Sequence, residues 1–121
     1  MDPALRAKLD AAHGARTEGE YDRARALYEE LIPQAGEAAA AEAHWGLGLV
    51  LQFTGLFDEC LVELQAAHEA QPESAKYYLD LAKTRLMLGD YDQAREDLNE
   101  IVRRFPDGPE AQEARKQLSY F

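Results

Sequence analysis

One spacing constrains this chain more than any other feature. Leu47-Gly48, Gly55-Leu56-Phe57-Asp58, Leu64 and Pro72 recur as Leu81-Ala82, Gly89-Asp90-Tyr91-Asp92, Leu98 and Pro106, each 34 residues further on. Gly19-Glu20-Tyr21-Asp22 is an earlier copy, 36 residues ahead of the second, so the first linker is two residues longer. A fixed period of this length marks a stacked repeat, in which one helix pair cannot bury its apolar face alone and its neighbours complete the core.

The residues between the repeated marks read as helices. Asp2 and Pro3 suit an N-cap and first helical position, because proline's missing N–H has no partner there in any case. The first helix is expected to run to about Glu18, where Gly19 can take the left-handed conformation that ends it. Tyr21, Ala24, Leu27, Tyr28 and Leu31 fall at helical spacing, with Pro33 near the end of that helix. An Ala-rich run from Ala38 opens a helix reaching Thr54. Phe57, Cys60, Leu61, Leu64 and Ala67 mark its partner, which stops before Pro72. Ser74 is placed to cap a helix running to Leu88, with Tyr78, Leu81, Ala82 and Arg85 facing the helix of Tyr91 to Phe105. A last helix, from Pro109 to about Ser119, carries Ala111, Ala114 and Leu118 on one stripe. Within the third of these helices, Gly46 and Gly48 each cost about 1 kcal/mol against Ala. Gly48 lets two helices approach closely; the sequence offers no reason for Gly46.

At Trp45, Leu47-Gly48, Gly55-Leu56-Phe57, Tyr78, Leu81-Ala82, Gly89-Asp90-Tyr91, Ala94 and Pro106, the chain resembles the tetratricopeptide repeat family. That resemblance implies an all-α fold, a right-handed superhelical stack of antiparallel helix pairs with about seven helices. It implies one domain over 1–121, with repeats at about 4–36, 38–72 and 74–106 and a capping helix at about 109–119. The implied function is protein–protein interaction, as a scaffold, adaptor or chaperone-like module; the scaffold by itself does not name a partner. One subgroup of the family grips a chaperone's terminal carboxylate with Lys and Asn side chains. Lys76 matches one of its cationic positions, but Asp80 stands where Arg is expected, and Leu9, His13 and Gly46 replace the remaining ligands. Small acidic members that act as chaperones for secreted proteins are alike in size and charge.

Composition narrows the partner. With 23 acidic and 13 basic residues the net charge is −10, which disfavours phosphate backbones and anionic lipid heads, so neither nucleic acid nor a membrane is expected. Met1 to Arg6 lacks the cationic start and apolar run of a secretory signal, and no stretch approaches about 20 apolar residues; a cytoplasmic protein is expected. Cys60 is the only cysteine and reads as a small buried thiol. His13, His44 and His68 lack a second ligand at i+3 or i+4, Ser74 and Ser119 fall at helix ends, and no glycine-rich phosphate loop occurs. No enzyme, metal or cofactor is therefore expected.

The concave side of a helix-pair stack is lined by the first helix of each pair. In the third repeat its outward stripe is Lys76, Leu79, Lys83 and Leu86. The equivalent places hold Glu42, Trp45, Leu49 and Gln52 in the second repeat and Arg6, Leu9, His13 and Arg16 in the first, with Phe53 at the margin. Leu9, Trp45, Leu49, Leu79 and Leu86 are expected to form an apolar strip edged by Arg6, Arg16, Lys76 and Lys83, which suits a peptide or helix of another protein carrying acidic residues. An alternative is a homo-oligomer joined through apolar ends such as Tyr120 and Phe121.

Overall fold

The computed structural model describes residues 2–121. Seven α-helices follow one another: α1 (Pro3–Thr17), α2 (Tyr21–Leu31), α3 (Glu37–Phe53), α4 (Phe57–Ala70), α5 (Ala75–Met87), α6 (Tyr91–Arg104) and α7 (Pro109–Leu118). A short 3-10 turn, Ile32–Gln34, extends α2 where Pro33 interrupts the α-helical hydrogen bonds. No strand occurs among the described residues. The helices form an all-α stack of antiparallel pairs. Each helix packs on the next, and α1 also touches α3, as α5 touches α7.

The turns are built alike. Gly19, Gly55 and Gly89 all have φ near +80°. The residue after each glycine donates its amide across six residues, from Glu20 to Ala15, Leu56 to Leu51 and Asp90 to Arg85. This closure satisfies carbonyls that a helix end leaves unpaired, and it needs a residue tolerant of positive φ. The repeated glycines are therefore what return the second helix of each pair against the first. Two N-termini are capped by side chains: Asp2 accepts from Ala4 N at 3.1 Å, and Ser74 from Tyr77 N at 3.2 Å.

Two apolar clusters run through the stack. The first joins α1 to α4, with Leu9, Tyr28, Leu47, Leu51 and Leu64, and reaches Leu81 of α5. The second joins α5, α6 and α7 through Leu79, Ala82, Leu98, Ile101 and Ala114. A β-carbon built on Gly48 would lie 2.7 Å from Leu64 Cδ2, so the glycine lets α3 and α4 close together. Gly46 also has a reason. A β-carbon there would sit 2.4 Å from Cζ and Oη of Tyr28, whose ring is fully buried. The large residue on α2 and the missing side chain on α3 are two halves of one contact.

A buried polar junction ties α5 to α6. Asp97, 2% exposed, accepts from Arg85 and, at 3.0 Å, from Gln93 on its own helix. A carboxylate left there without its arginine would be strongly destabilising.

Candidate functional site

Helices α1, α3 and α5 contribute their outward stripes to one face, and Trp45 stands at its centre. The backbones of α3 and α5 stay further apart than those of α1 and α3, and the indole spans the gap. Its Nε1–H donates to Asp80 Oδ2 at 2.7 Å, and its ring stacks on Tyr77 at 6.0 Å between centroids. Lys76 Nζ lies 3.8 Å from the indole centroid and the Arg16 guanidinium 5.1 Å from it. Both distances are within the range where a cation is attracted to an indole face, a contact of about 0.5–1 kcal/mol at exposed sites. Neither Arg16 nor Lys76 has a carboxylate within ion-pair distance among the described residues.

A second cluster lies beside the first. Glu42 accepts from Arg6 at 2.7 Å and from His13 Nε2 at 2.7 Å, while Arg6 also holds Asp10. The other His13 nitrogen lies 2.5 Å from the Tyr28 hydroxyl, which also receives Arg16 Nε–H at 3.2 Å. The bond from Arg6, opposed in part by burial and reinforced by His13, holds the Glu42 carboxyl below the usual carboxylate range. Asp80 is moved the other way. Burial raises its pKa, and the indole bond and the charges of Lys83 and Lys76 offset only part of that shift. Glu42 is thus committed to its partners, whereas Lys76 and Arg16 keep their charges for the surface.

The stripe expected from the sequence is not all surface. Leu9 is 1% exposed and sits in the first core cluster, and Leu79, at 9%, sits in the second. These two side chains turn into the stack because α1 and α5 need apolar contacts toward their partner helices, so they offer no area to a ligand in this conformation. Leu49 is half-buried. Gln52 reaches Met87 Sδ at 3.8 Å, and Lys83 lies 3.8 Å from Glu113 of α7. Phe53 is 67% exposed and stacks on Tyr21 at 5.7 Å. Leu86 lies toward α7, beside Tyr91 and Phe121. The face therefore brings Arg6, His13, Arg16, Glu42, Trp45 and Lys76 together, and leaves Phe53, Lys83 and Leu86 at its edges.

Sequence reasoning passed over Tyr77, Asp80 and Tyr28 as contributors. For Asp80 a signal was available: it is 35 residues from Trp45, one beyond the repeat period, where side chains of successive repeats meet.

Charge is divided between the two sides of the stack. Helices α1, α3 and α5 carry six basic and four acidic residues, whereas α2, α4 and α6 carry five basic and eleven acidic ones. The helices that form the face around Trp45 are thus the less acidic side of the molecule.

Two family models described as tetratricopeptide repeat match the chain, one over residues 54–118 and one over 9–59. No curated protein matches it. Among solved structures, the chain is similar to the Yersinia enterocolitica type III secretion chaperone SycD in complex with a peptide of the translocator YopD, with 18% identity, a TM-score of 0.84, and 99% of this chain and 90% of that chain covered. It is similar to the Arabidopsis OM64 TPR domain, with 20% identity, a TM-score of 0.81, and 97% and 95% covered. It is also similar to the second TPR domain of human RPAP3 in complex with the HSP70 peptide SGPTIEEVD, with 19% identity, a TM-score of 0.79, and 93% and 92% covered. At these identities the likeness is one of fold.

Proposed function

The chain belongs to the tetratricopeptide repeat family, and from that premise we propose that it is a protein-interaction module whose concave face takes an acidic segment of a partner protein. The observation that carries this reading is the pair of cations that approach the Trp45 ring with no carboxylate partner among the described residues, Lys76 at 3.8 Å and Arg16 at 5.1 Å. The indole and Tyr77 offer apolar area, and the two cations offer charge-assisted hydrogen bonds to a carboxylate lying over the ring. Arg6, Leu49, Gln52 and Lys83 border this centre, and Phe53 and Leu86 extend it along the edge. Peptide binding by similar folds supports the reading: SycD holds a YopD peptide, and RPAP3 holds an HSP70 peptide with acidic residues near its end.

The local chemistry is unlike a grip made only of cations on a terminal carboxylate. Asp80 accepts the indole N–H beside Lys76 and contributes negative charge there. An acidic side chain approaching from Arg16, away from Asp80, meets the more favourable potential. No helix among the described residues is long and apolar enough to cross a membrane.

The test is an array of short peptides spanning a range of net charge and apolar content, probed with the labelled chain and with an Arg16→Glu, Lys76→Glu variant. Retained peptides are expected to be acidic with an apolar residue nearby, and to be lost by the variant. Retention without charge bias, or equal retention by the variant, would contradict the proposal.

A further inference from the structure

A second concavity lies outside the Trp45 centre. It opens between the ends of α5 and α7 and the first turns of α6, has a volume of about 400 Å3, and is lined by Leu86, Tyr91, Arg95, Gln117, Tyr120 and Phe121. Its aromatic walls face solvent, with Tyr91 58%, Tyr120 73% and Phe121 46% exposed. Tyr91 and Phe121 meet edge to face at 6.5 Å. Exposed apolar area concentrated in one concavity is the usual mark of a contact site.

Arg95 indicates what enters it. Every other arginine donates a side-chain hydrogen bond within the chain. Arg95 donates none among the described residues, although Asp92 lies one turn earlier on α6. Its guanidinium instead lies 5.0 Å from the Phe121 ring centroid. No aspartate or glutamate is among the residues that line the cleft. On a chain of net charge −10, an arginine held against an aromatic wall with its donors unused is complementary to an anion. A guanidinium presents paired donors matched to a carboxylate, and the neighbouring rings reduce its competition from water.

We infer that this cleft is a binding site for an apolar side chain followed by a carboxylate, as in a Leu-Glu step of a partner protein. Tyr91, Tyr120 and Phe121 hold the side chain and Arg95 holds the acid. The site shares Leu86 with the edge of the Trp45 face but uses none of Trp45, Arg16 or Lys76.

The test is titration of the nitrogen-15-labelled chain with N-acetyl-Leu-Glu-amide, using N-acetyl-Leu-Gln-amide as the uncharged control. The glutamate peptide is expected to shift Arg95 Nε–H and the amides of residues 117–121, and to saturate at a concentration at least about tenfold below that of the control. Arg95→Gln, an exposed substitution, is expected to bind both peptides equally. The Arg16→Glu, Lys76→Glu chain is expected to respond as wild type, so failure of the groove reading and failure of this one are distinguishable. Unmoved signals at millimolar peptide, equal response to the two peptides, or shifts confined to the surroundings of Trp45 would overturn the inference. So would shifts of the same signals on simple dilution of the chain, which would give the cleft to a second copy.

Discussion

A methyl group added at Gly14, Gly46 or Gly48 is expected to have three different effects, although all three residues lie within helices. Propensity alone favours Ala over Gly by about 1 kcal/mol at each. At Gly14 nothing lies within 4 Å of the new atom, so Gly14→Ala keeps the gain. At Gly46 the methyl group falls 2.4 Å from the Tyr28 ring and hydroxyl, and that fully buried ring is fastened through His13 and Arg16. Displacing a packed ring costs about 1–3 kcal/mol, and weakening its two hydrogen bonds costs about 1 kcal/mol each. After the propensity gain, the net loss for Gly46→Ala is about 3 kcal/mol. For a domain of this size that lowers Tm by about 12 °C. At Gly48 the obstacle is the branched end of Leu64, at 2.7 and 2.9 Å, which can rotate in part, so Gly48→Ala falls between the other two. Thermal unfolding followed by circular dichroism ranks them. Tyr28→Leu introduces the residue type found at the equivalent positions Leu64 and Leu98. In that background the cost of Gly46→Ala should largely disappear, giving a coupling of at least about 1 kcal/mol. A Gly46→Ala chain more stable than wild type would refute the reasoning.

Three further outcomes are expected. Arg85→Ala leaves Asp97 buried without its cation and should cost about 3 kcal/mol in urea unfolding, with part of the loss restored by adding Asp97→Ala; an exposed-pair cost below about 1 kcal/mol would contradict the buried junction. His68 stacks on Tyr78 at 4.1 Å with Nδ1 buried and unpartnered, and burial lowers its pKa, against the pull of Asp97 and Glu69 and with the push of Arg104 and Arg85. The folded state therefore binds its proton later than the unfolded chain, so this stability is complete above about pH 6.5 and declines as pH falls through the ordinary histidine range. His68→Phe should flatten the fall of Tm between neutral and mildly acidic pH, and an unchanged slope would remove His68 as its source. Cys60 is fully buried and burial raises its thiol pKa, so thiol reagents should label it only in denaturant; rapid stoichiometric labelling of the native chain would contradict this.

The stack was legible in the sequence because turn chemistry repeats where packing repeats. Gly19, Gly55 and Gly89 announce positive φ, and the small residues five places after them, Ala24, Cys60 and Ala94, are all fully buried. The contact of Gly46 with Tyr28 was not legible, since it joins helices of different repeats and depends on one enlarged side chain where the other repeats carry leucine. The concave stripe was legible only as a register. Spacing put Leu9 and Leu79 on the same line as Trp45, but a helix in this stack is wedged on two sides, and the angle at which its neighbours crowd it determines which leucines are covered. Trp45 stays half-exposed because α3 and α5 stand apart and its N–H finds Asp80 across the gap. The aromatic cleft beside Arg95 required both the path of α7 and the placement of Phe121, which no local pattern specifies.

Trp45 is the only tryptophan in the chain, so its fluorescence reports directly on the proposed groove. The measurement is titration with the strongest acidic peptide from the array at low and high salt, for wild type and for Arg16→Glu, Lys76→Glu. The account predicts a saturable change in emission that weakens as salt rises and is absent in the variant. Binding that leaves Trp45 emission unchanged, or that the variant retains undiminished, would contradict it.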